Sequence, residues 1–223
     1  MILLNPSRTL AYIPIAKNAS KIYSESFLSA GWSEHSIAII KELEHTNIKP
    51  FAHIQDPFIR HTKGIVEWIT RTKNRWMLDD ERCYPMLATG ILDLHTSPIS
   101  FTFPSWLLKT THWIPISDKL VNINSEQRKG QLVSADELTL DFLKQHNELN
   151  VIILEESQTS IRFVPDADDR FELRKKLNKI KEKHETHSLQ YMYDVDLKIW
   201  NDCLPYHDSV GNAYHFKELL NNG

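Results

Sequence analysis

Cysteine, glycine and long apolar runs are all scarce in this chain. Its two cysteines, Cys83 and Cys203, are too few for a disulfide framework and stand in no metal-ligand spacing, so free thiols are expected. Only 6 glycines are present, and none builds the Gly-rich loop ending in Gly-Lys-Ser/Thr that cradles the phosphates of a nucleoside triphosphate. That argues against an ordinary nucleoside triphosphatase. No apolar run approaches the ~20 residues that cross a bilayer, and the start, MILLNPSRTL, has no basic region followed by a long apolar segment. The expected location is therefore the cytoplasm, with no membrane association. An excess of charge of either sign is missing too. The 26 Lys and Arg against 29 Asp and Glu leave a formal charge of -3; no overall field attracts nucleic acid, and any anion site must be a local basic cluster. The 11 histidines form no metal-ligand pattern. His184 and His187 come nearest and read as solvated positions of a charged helix.

What is present describes an ordinary globular protein: 41% hydrophobic and 25% charged residues over 223 positions, enough for one domain, 1–223, with a full core. The most informative stretch is TLAYIPIAKNASKIYSESFL, residues 9–28. TLAYIPI is rich in β-formers and predicts a buried strand, while Ile22, Phe27 and Leu28 fall near one helical face. Ala16 to Lys21 is then a strand-to-helix turn. Such a turn aims backbone N–H groups and the positive end of the helix dipole at one point, and Lys17, Ser20 and Lys21 add side-chain donors there. A phosphate or sulfate is the expected occupant; the plainer alternative is a helix start with two solvated lysines.

A second unit repeats the pattern. KPFAHIQ, residues 49–55, reads as another buried strand, ending at Asp56-Pro57, where Asp caps a helix and Pro suits its first turn. The helix that follows places Ile59, Ile65, Val66 and Ile69 on an apolar face, with Arg60 and Lys63 near its start.

The first turn resembles the phosphosulfate-binding loop of sulfotransferases, with Lys17, Asn18, Ala19 and Ser20 matching. Ala16 stands where the family usually has proline, and Lys21 where a second hydroxyl is common. The second unit is similar to the segment after the corresponding strand in sulfotransferases that use 3′-phosphoadenosine 5′-phosphosulfate. Asp56, Pro57, Arg60 and Gly64 match it; Gln55 replaces an arginine and Lys63 a serine, the two family positions that grip the 3′-phosphate. Charge is thus moved rather than lost. Asp93, His95 and Pro98 in DLHTSPIS resemble a segment of membrane-anchored carbohydrate sulfotransferases, with Ile99 where glutamine often follows the proline. LQYMYDVDLKIW, residues 189–200, resembles the closing helix of the same enzymes.

This resemblance implies an α/β fold, a mainly parallel sheet flanked by helices and laid out like P-loop nucleotide kinases, and transfer of a sulfuryl group to an acceptor hydroxyl, on a carbohydrate or a small molecule. Lys17, Asn18, Ala19, Ser20 and Lys21 would hold the 5′ end of the donor, Gln55 and Lys63 its 3′-phosphate, and Arg60 would either join them or hold the turn. His95 would be the general base, since imidazole titrates near neutral pH, with Asp93 as orienting or substitute carboxylate. No metal is required, because lysines and a helix end supply positive charge. A kinase-like phosphotransferase and a non-catalytic adenosine-phosphate binder remain the alternatives.

The remaining expectations are structural. Residues 36–43 are apolar but undecided between helix and strand; a helix starts near Pro85; WIPIS and KLVNI, within 113–123, suit strands. Arg128-Lys129-Gly130 reads as a solvated loop. Ser134 and Glu137 have capping-box spacing ahead of a helix with Leu138, Phe142 and Leu143 on its apolar face, and 151–155 reads as a strand. Residues 168–185 form a charged helix that reads as a solvated face, its acidic and basic residues alternating.

Overall fold

Asn5 closes the first turn of the chain. Its side-chain carbonyl accepts from the backbone N–H groups of Thr9 and Leu10, each at 2.8 Å, folding β1 (Ile2–Leu4) back on β2 (Leu10–Tyr12). The connection is too short for a crossover, so the pairing is antiparallel, with Leu3 opposite Tyr12. The computed structural model describes residues 1–116, 138–148, 151, 167–184 and 187–207.

From β2 the chain passes through α1 (Ser20–Ser29) to β3 (Ser33–His35), which pairs antiparallel with β1. A turn of 3-10 helix and the short α2 (Ile40–Leu43) resolve the undecided apolar segment. Next, β4 (Lys49–Ile54) lies parallel to β2 and leads into α3 (Pro57–Thr72). The chain continues through α4 (Tyr84–Thr89), with Pro85 in its first turn, and α5 (Ser105–Thr110) to β5 (His112–Pro115), parallel to β4. Helical residues 138–145 form α6; α7 (Ala167–Lys183), α8 (His187–Met192) and α9 (Asp194–His207) complete the described chain.

The fold is α/β, with a five-stranded sheet in the order β3-β1-β2-β4-β5. The sheet is mixed rather than mainly parallel. The expectation missed the Ile2–Leu4 strand, whose two antiparallel pairings balance the two parallel ones. The expected closing helix is also divided: α8 ends before Tyr193 and α9 begins after it. The KLVNI segment, Arg128 to Gly130, Ser134 and Glu137 lie outside the described residues, as does all of the 151–155 segment except Val151.

Period-two alternation sorts the strand side chains onto two faces. Leu10, Tyr12 and Phe51 meet Tyr23 and Phe27 of α1 and Phe142 of α6, whereas Ala11, Ile13, Ala52 and Ile54 meet Leu107 of α5 and Trp200 of α9. Helices therefore cover both faces. A third cluster packs Ile65, Val66 and Ile69 of α3 on Leu87 of α4 and on Leu173, Leu177 and Ile180 of α7. Among the described residues no helix is long and apolar enough to cross a membrane.

Candidate functional site

β2 and β4 are hydrogen-bonded neighbours running the same way, so the turns that follow them emerge at one edge of the sheet. This is where the carboxyl ends of parallel strands place ligands in open α/β sheets. The two turns are built differently. At α3, Asp56 accepts from Phe58 N at 2.8 Å and Ile59 N at 3.0 Å, with Pro57 in the first turn. At α1 the N-cap is Ala19 and no side chain caps the helix. Lys17 and Ala19 both adopt left-handed backbone, φ 70° and 53°, a conformation disfavoured outside glycine. One helix start is thus closed by its own carboxylate, while the other has no side-chain cap.

Side chains of the turn itself, of Gln55 just after β4 and of α3 hold the α1 turn in place. Asn18, fully buried, donates through Nδ2 to His53 O at 2.7 Å; its Oδ1 is buried without a hydrogen bond. Gln55 Nε2 donates to the Lys17 carbonyl, and Lys63 Nζ donates to Gln55 Oε1. Gln55 and Lys63 thus form a hydrogen-bonded chain from α3 to the first turn. Arg60 is 3% exposed and donates Nε to Ala16 O at 3.1 Å, Nη1 to Ser97 O at 2.6 Å and Nη2 to Leu94 O at 3.4 Å. Burial lowers its pKa, opposed by Tyr193 and Asp196. Of the two roles expected for Arg60, these three carbonyl contacts describe the holding role. Ser20 begins α1, and Lys21 pairs with Glu25 at 3.9 Å one turn along it.

The Asp93–His95 segment is brought across α3 by the absence of a side chain at Gly64, where an added Cβ would run into the His95 carbonyl and the Thr96 side chain. Asp93 accepts from His95 N at 2.8 Å through one oxygen and lies 3.1 Å from His95 Nδ1 through the other. Arg71 also bonds that second oxygen. Burial raises the Asp93 pKa, but the bonds from His95 and Arg71 outweigh it and hold the carboxylate below its usual range. Behind the loop, Tyr193 donates to Thr96 O, and Asp196 accepts from Ile99 N at 2.7 Å and Ser100 N at 3.1 Å. The Tyr and Asp of the closing segment therefore anchor the loop that carries His95.

Lys17 meets this constellation through Glu67 of α3. Lys17 Nζ lies 3.0 Å from Glu67 Oε2, and Arg170 Nη1 of α7 lies 3.2 Å from the same oxygen. Burial lowers the Lys17 pKa, Glu67 raises it again, and Arg170 and Asp93 act on it more weakly. For Glu67 burial acts upward, but Lys17 and Arg170 outweigh it, with His95 adding in the same direction. Lys17 thus pairs with the same helix, α3, across which Gly64 lets the Asp93–His95 loop pass.

Glu67, Arg71 and Arg170 did not emerge from the sequence motifs. The signal for the first two is the spacing Arg60, Lys63, Glu67, Arg71, one polar stripe along α3. Along α7 Glu172, Lys175, Lys176, Lys179, Glu182 and Lys183 are exposed, as expected of a solvated face, but Arg170 and Lys181, on the side of Leu173, Leu177 and Ile180, reach α3. Lys181 Nζ lies 2.7 Å from His61 Nδ1 and 2.8 Å from Thr62 Oγ1, while His61 Nε2 donates to Gly90 O at 2.9 Å. Burial pulls Lys181 down to about 7 and His61 to about 3. Two clefts among the described residues lie elsewhere, one of about 550 Å³ beside Lys49 and His112 and one of about 610 Å³ between α5 and α9.

No protein-family model matches the chain, and neither the curated proteins nor the solved structures give a match.

Proposed function

We propose that this protein is a sulfotransferase, moving a sulfuryl group from 3′-phosphoadenosine 5′-phosphosulfate to an acceptor hydroxyl on a carbohydrate or small molecule. The observation that carries the reading is the pair of strand-to-helix turns after adjacent parallel strands, joined through Lys63 and Gln55 to Lys17, with Lys17 paired to Glu67 of α3 and the Asp93–His95 loop lying across the same helix at Gly64. The uncapped start of α1 beside an ammonium fits an anionic group. The donor supplies an activated sulfuryl group whose S–O bond to phosphate breaks as the acceptor oxygen bonds to sulfur. Lys17 and the α1 N–H groups neutralise charge on the leaving oxygen. His95 accepts the acceptor proton, and Asp93 orients its ring through Nδ1. Arg60 and Gly64 act indirectly, by holding the loop and the turn at a fixed distance.

The direct test is a thermal-shift titration with adenosine 3′,5′-bisphosphate against ATP, with and without magnesium, followed by a labelled-sulfate transfer assay over a panel of glycan and small-molecule hydroxyl acceptors. Stabilisation by the bisphosphate without magnesium, and label in an acceptor, are expected. Magnesium-dependent preference for ATP would replace this reading with a kinase-like phosphotransferase. Binding of the bisphosphate with no transfer to any acceptor would leave a non-catalytic binder.

A further inference from the structure

Glu67 receives two cations on one oxygen, Lys17 from the β2–α1 turn and Arg170 from α7. The three side chains are unequally committed. Lys17 has its ammonium on Glu67 at 3.0 Å, whereas Arg170 reaches the same oxygen with Nη1 at 3.2 Å and keeps Nε buried with no hydrogen bond. A guanidinium offers a planar fork of donors suited to both oxygens of a carboxylate, so this Arg170 contact is an incomplete version of what the pair can form. A polyanion at the start of α1 would stand beside Glu67, and like charges at such range repel by amounts that matter for affinity. The ammonium of Lys17 lies between the turn and this carboxylate, 3.0 Å from its Oε2.

We propose that Glu67 is a built-in competitor for the anion: the ligand takes Lys17 from Glu67, and Arg170 receives the carboxylate as Lys17 leaves it. The inference rests on the reading that the first turn binds a phosphate group. It deepens that reading by assigning Glu67 and Arg170 as positioning residues that select ligands with clustered negative charge. A singly charged anion gains too little at Lys17 to displace the carboxylate; a group carrying two or more adjacent charges gains enough. Glu67 thereby keeps the ammonium oriented toward the turn in the ligand-free protein, and releases it only to a ligand of the right charge.

The test uses calorimetric titration of the full chain with inorganic pyrophosphate and with adenosine 3′,5′-bisphosphate, alongside mass-spectrometric measurement of Lys17 acetylation by acetic anhydride. Glu67→Gln is expected to bind pyrophosphate about tenfold more tightly than the parent. Arg170→Met is expected to bind it several-fold more weakly, with most of that loss vanishing in the Glu67→Gln background. A carboxylate that merely braced the fold would produce a loss of affinity in Glu67→Gln instead. Equal or weaker pyrophosphate binding by Glu67→Gln overturns the proposal, as does an Arg170→Met effect undiminished in the double variant. If pyrophosphate behaves as expected while the bisphosphate binds to neither protein, the competition stands and the sulfuryl-donor reading falls. If neither anion binds or shields Lys17 from acetylation, the competition is overturned as well. Should Glu67→Gln fail to fold, Arg170→Met alone decides, since unchanged affinity for pyrophosphate is incompatible with the exchange.

Discussion

The proposed transfer assigns Lys17 to the donor and His95 to the acceptor, so removing each is expected to leave a different signature. Lys17→Ala, which removes the charge proposed to face the leaving oxygen, is expected to lower both bisphosphate affinity and transfer. His95→Ala is expected to leave bisphosphate affinity near the parent value while slowing transfer by ~10²–10⁴. Calorimetry and labelled-sulfate transfer on the two variants separate these outcomes; near-normal transfer by His95→Ala would make Asp93 the leading base. Lys63 poses a different question, because its ammonium donates to Gln55. If the pair also serves a 3′-phosphate, Lys63→Ala weakens adenosine 3′,5′-bisphosphate about tenfold or more while AMP changes little, a charge-assisted hydrogen bond being worth about 1.5–3 kcal/mol. Equal losses for both ligands would assign Lys63 to holding the turn alone.

At the scale of elements, α3 is the organiser. Its start is capped by Asp56, one face carries Arg60, Lys63, Glu67 and Arg71, and Gly64 on that side admits the Asp93–His95 loop. The sign of one substitution checks this account. In an exposed helix Gly→Ala gains up to about 1 kcal/mol from propensity. At Gly64 the new methyl meets backbone of residue 95, which cannot swing aside, and overpacking of this kind costs about 1–3 kcal/mol. Urea unfolding of Gly64→Ala is expected to show net destabilisation, with transfer impaired further because the His95 loop must move. A more stable variant would mean that the loop does not lie against α3.

The sequence made much of this element-level plan legible. The Thr9–Ile15 and Lys49–Gln55 runs of β-formers, followed by a turn and by Asp-Pro, announced two strand-turn-helix units, and both are present. Ile2–Leu4 escaped because three apolar residues do not complete a pattern that separates strand from helix, and with them went the polarity of half the sheet. Glu67, Arg170 and Lys181 escaped for another reason. A charged residue on a helix reads as solvated until its position is compared with the apolar stripe, and Arg170 and Lys181 become conspicuous only beside Leu173, Leu177 and Ile180. Arg60 lay within a recognised motif, yet its partners are main-chain carbonyls of Ala16, Leu94 and Ser97, which no side-chain pattern reveals.

Across the whole molecule, the cost of burying bases ties stability to pH. His53 of β4 is fully buried, stacked on Tyr23 with ring centroids 3.5 Å apart, 2.9 Å from Thr139 Oγ1 and 3.3 Å from the Tyr12 hydroxyl. Burial pulls its pKa from 6.5 to about 3. Between these values the unfolded chain binds the proton and the folded one does not, so stability falls as pH drops below 6.5. At pH 5 the loss from this one ring is about 2 kcal/mol relative to pH 8. His61 acts in the same direction and over the same window. Asp56 and Asp196, whose pKa values burial raises, act oppositely, because a carboxyl that holds its proton more tightly when folded loses that advantage as pH rises. The net profile of the parent therefore mixes signs, and the clean measurement is a difference. His53→Phe keeps an aromatic ring against Tyr23 and removes the titrating group. Whatever its absolute stability, urea unfolding at pH 8 and pH 5 is expected to show a loss on acidification about 2 kcal/mol smaller than in the parent. Parallel pH profiles for the two proteins would mean that His53 takes up its proton in the folded state, and that the packing of β4 against α1 and α6 admits water at that point.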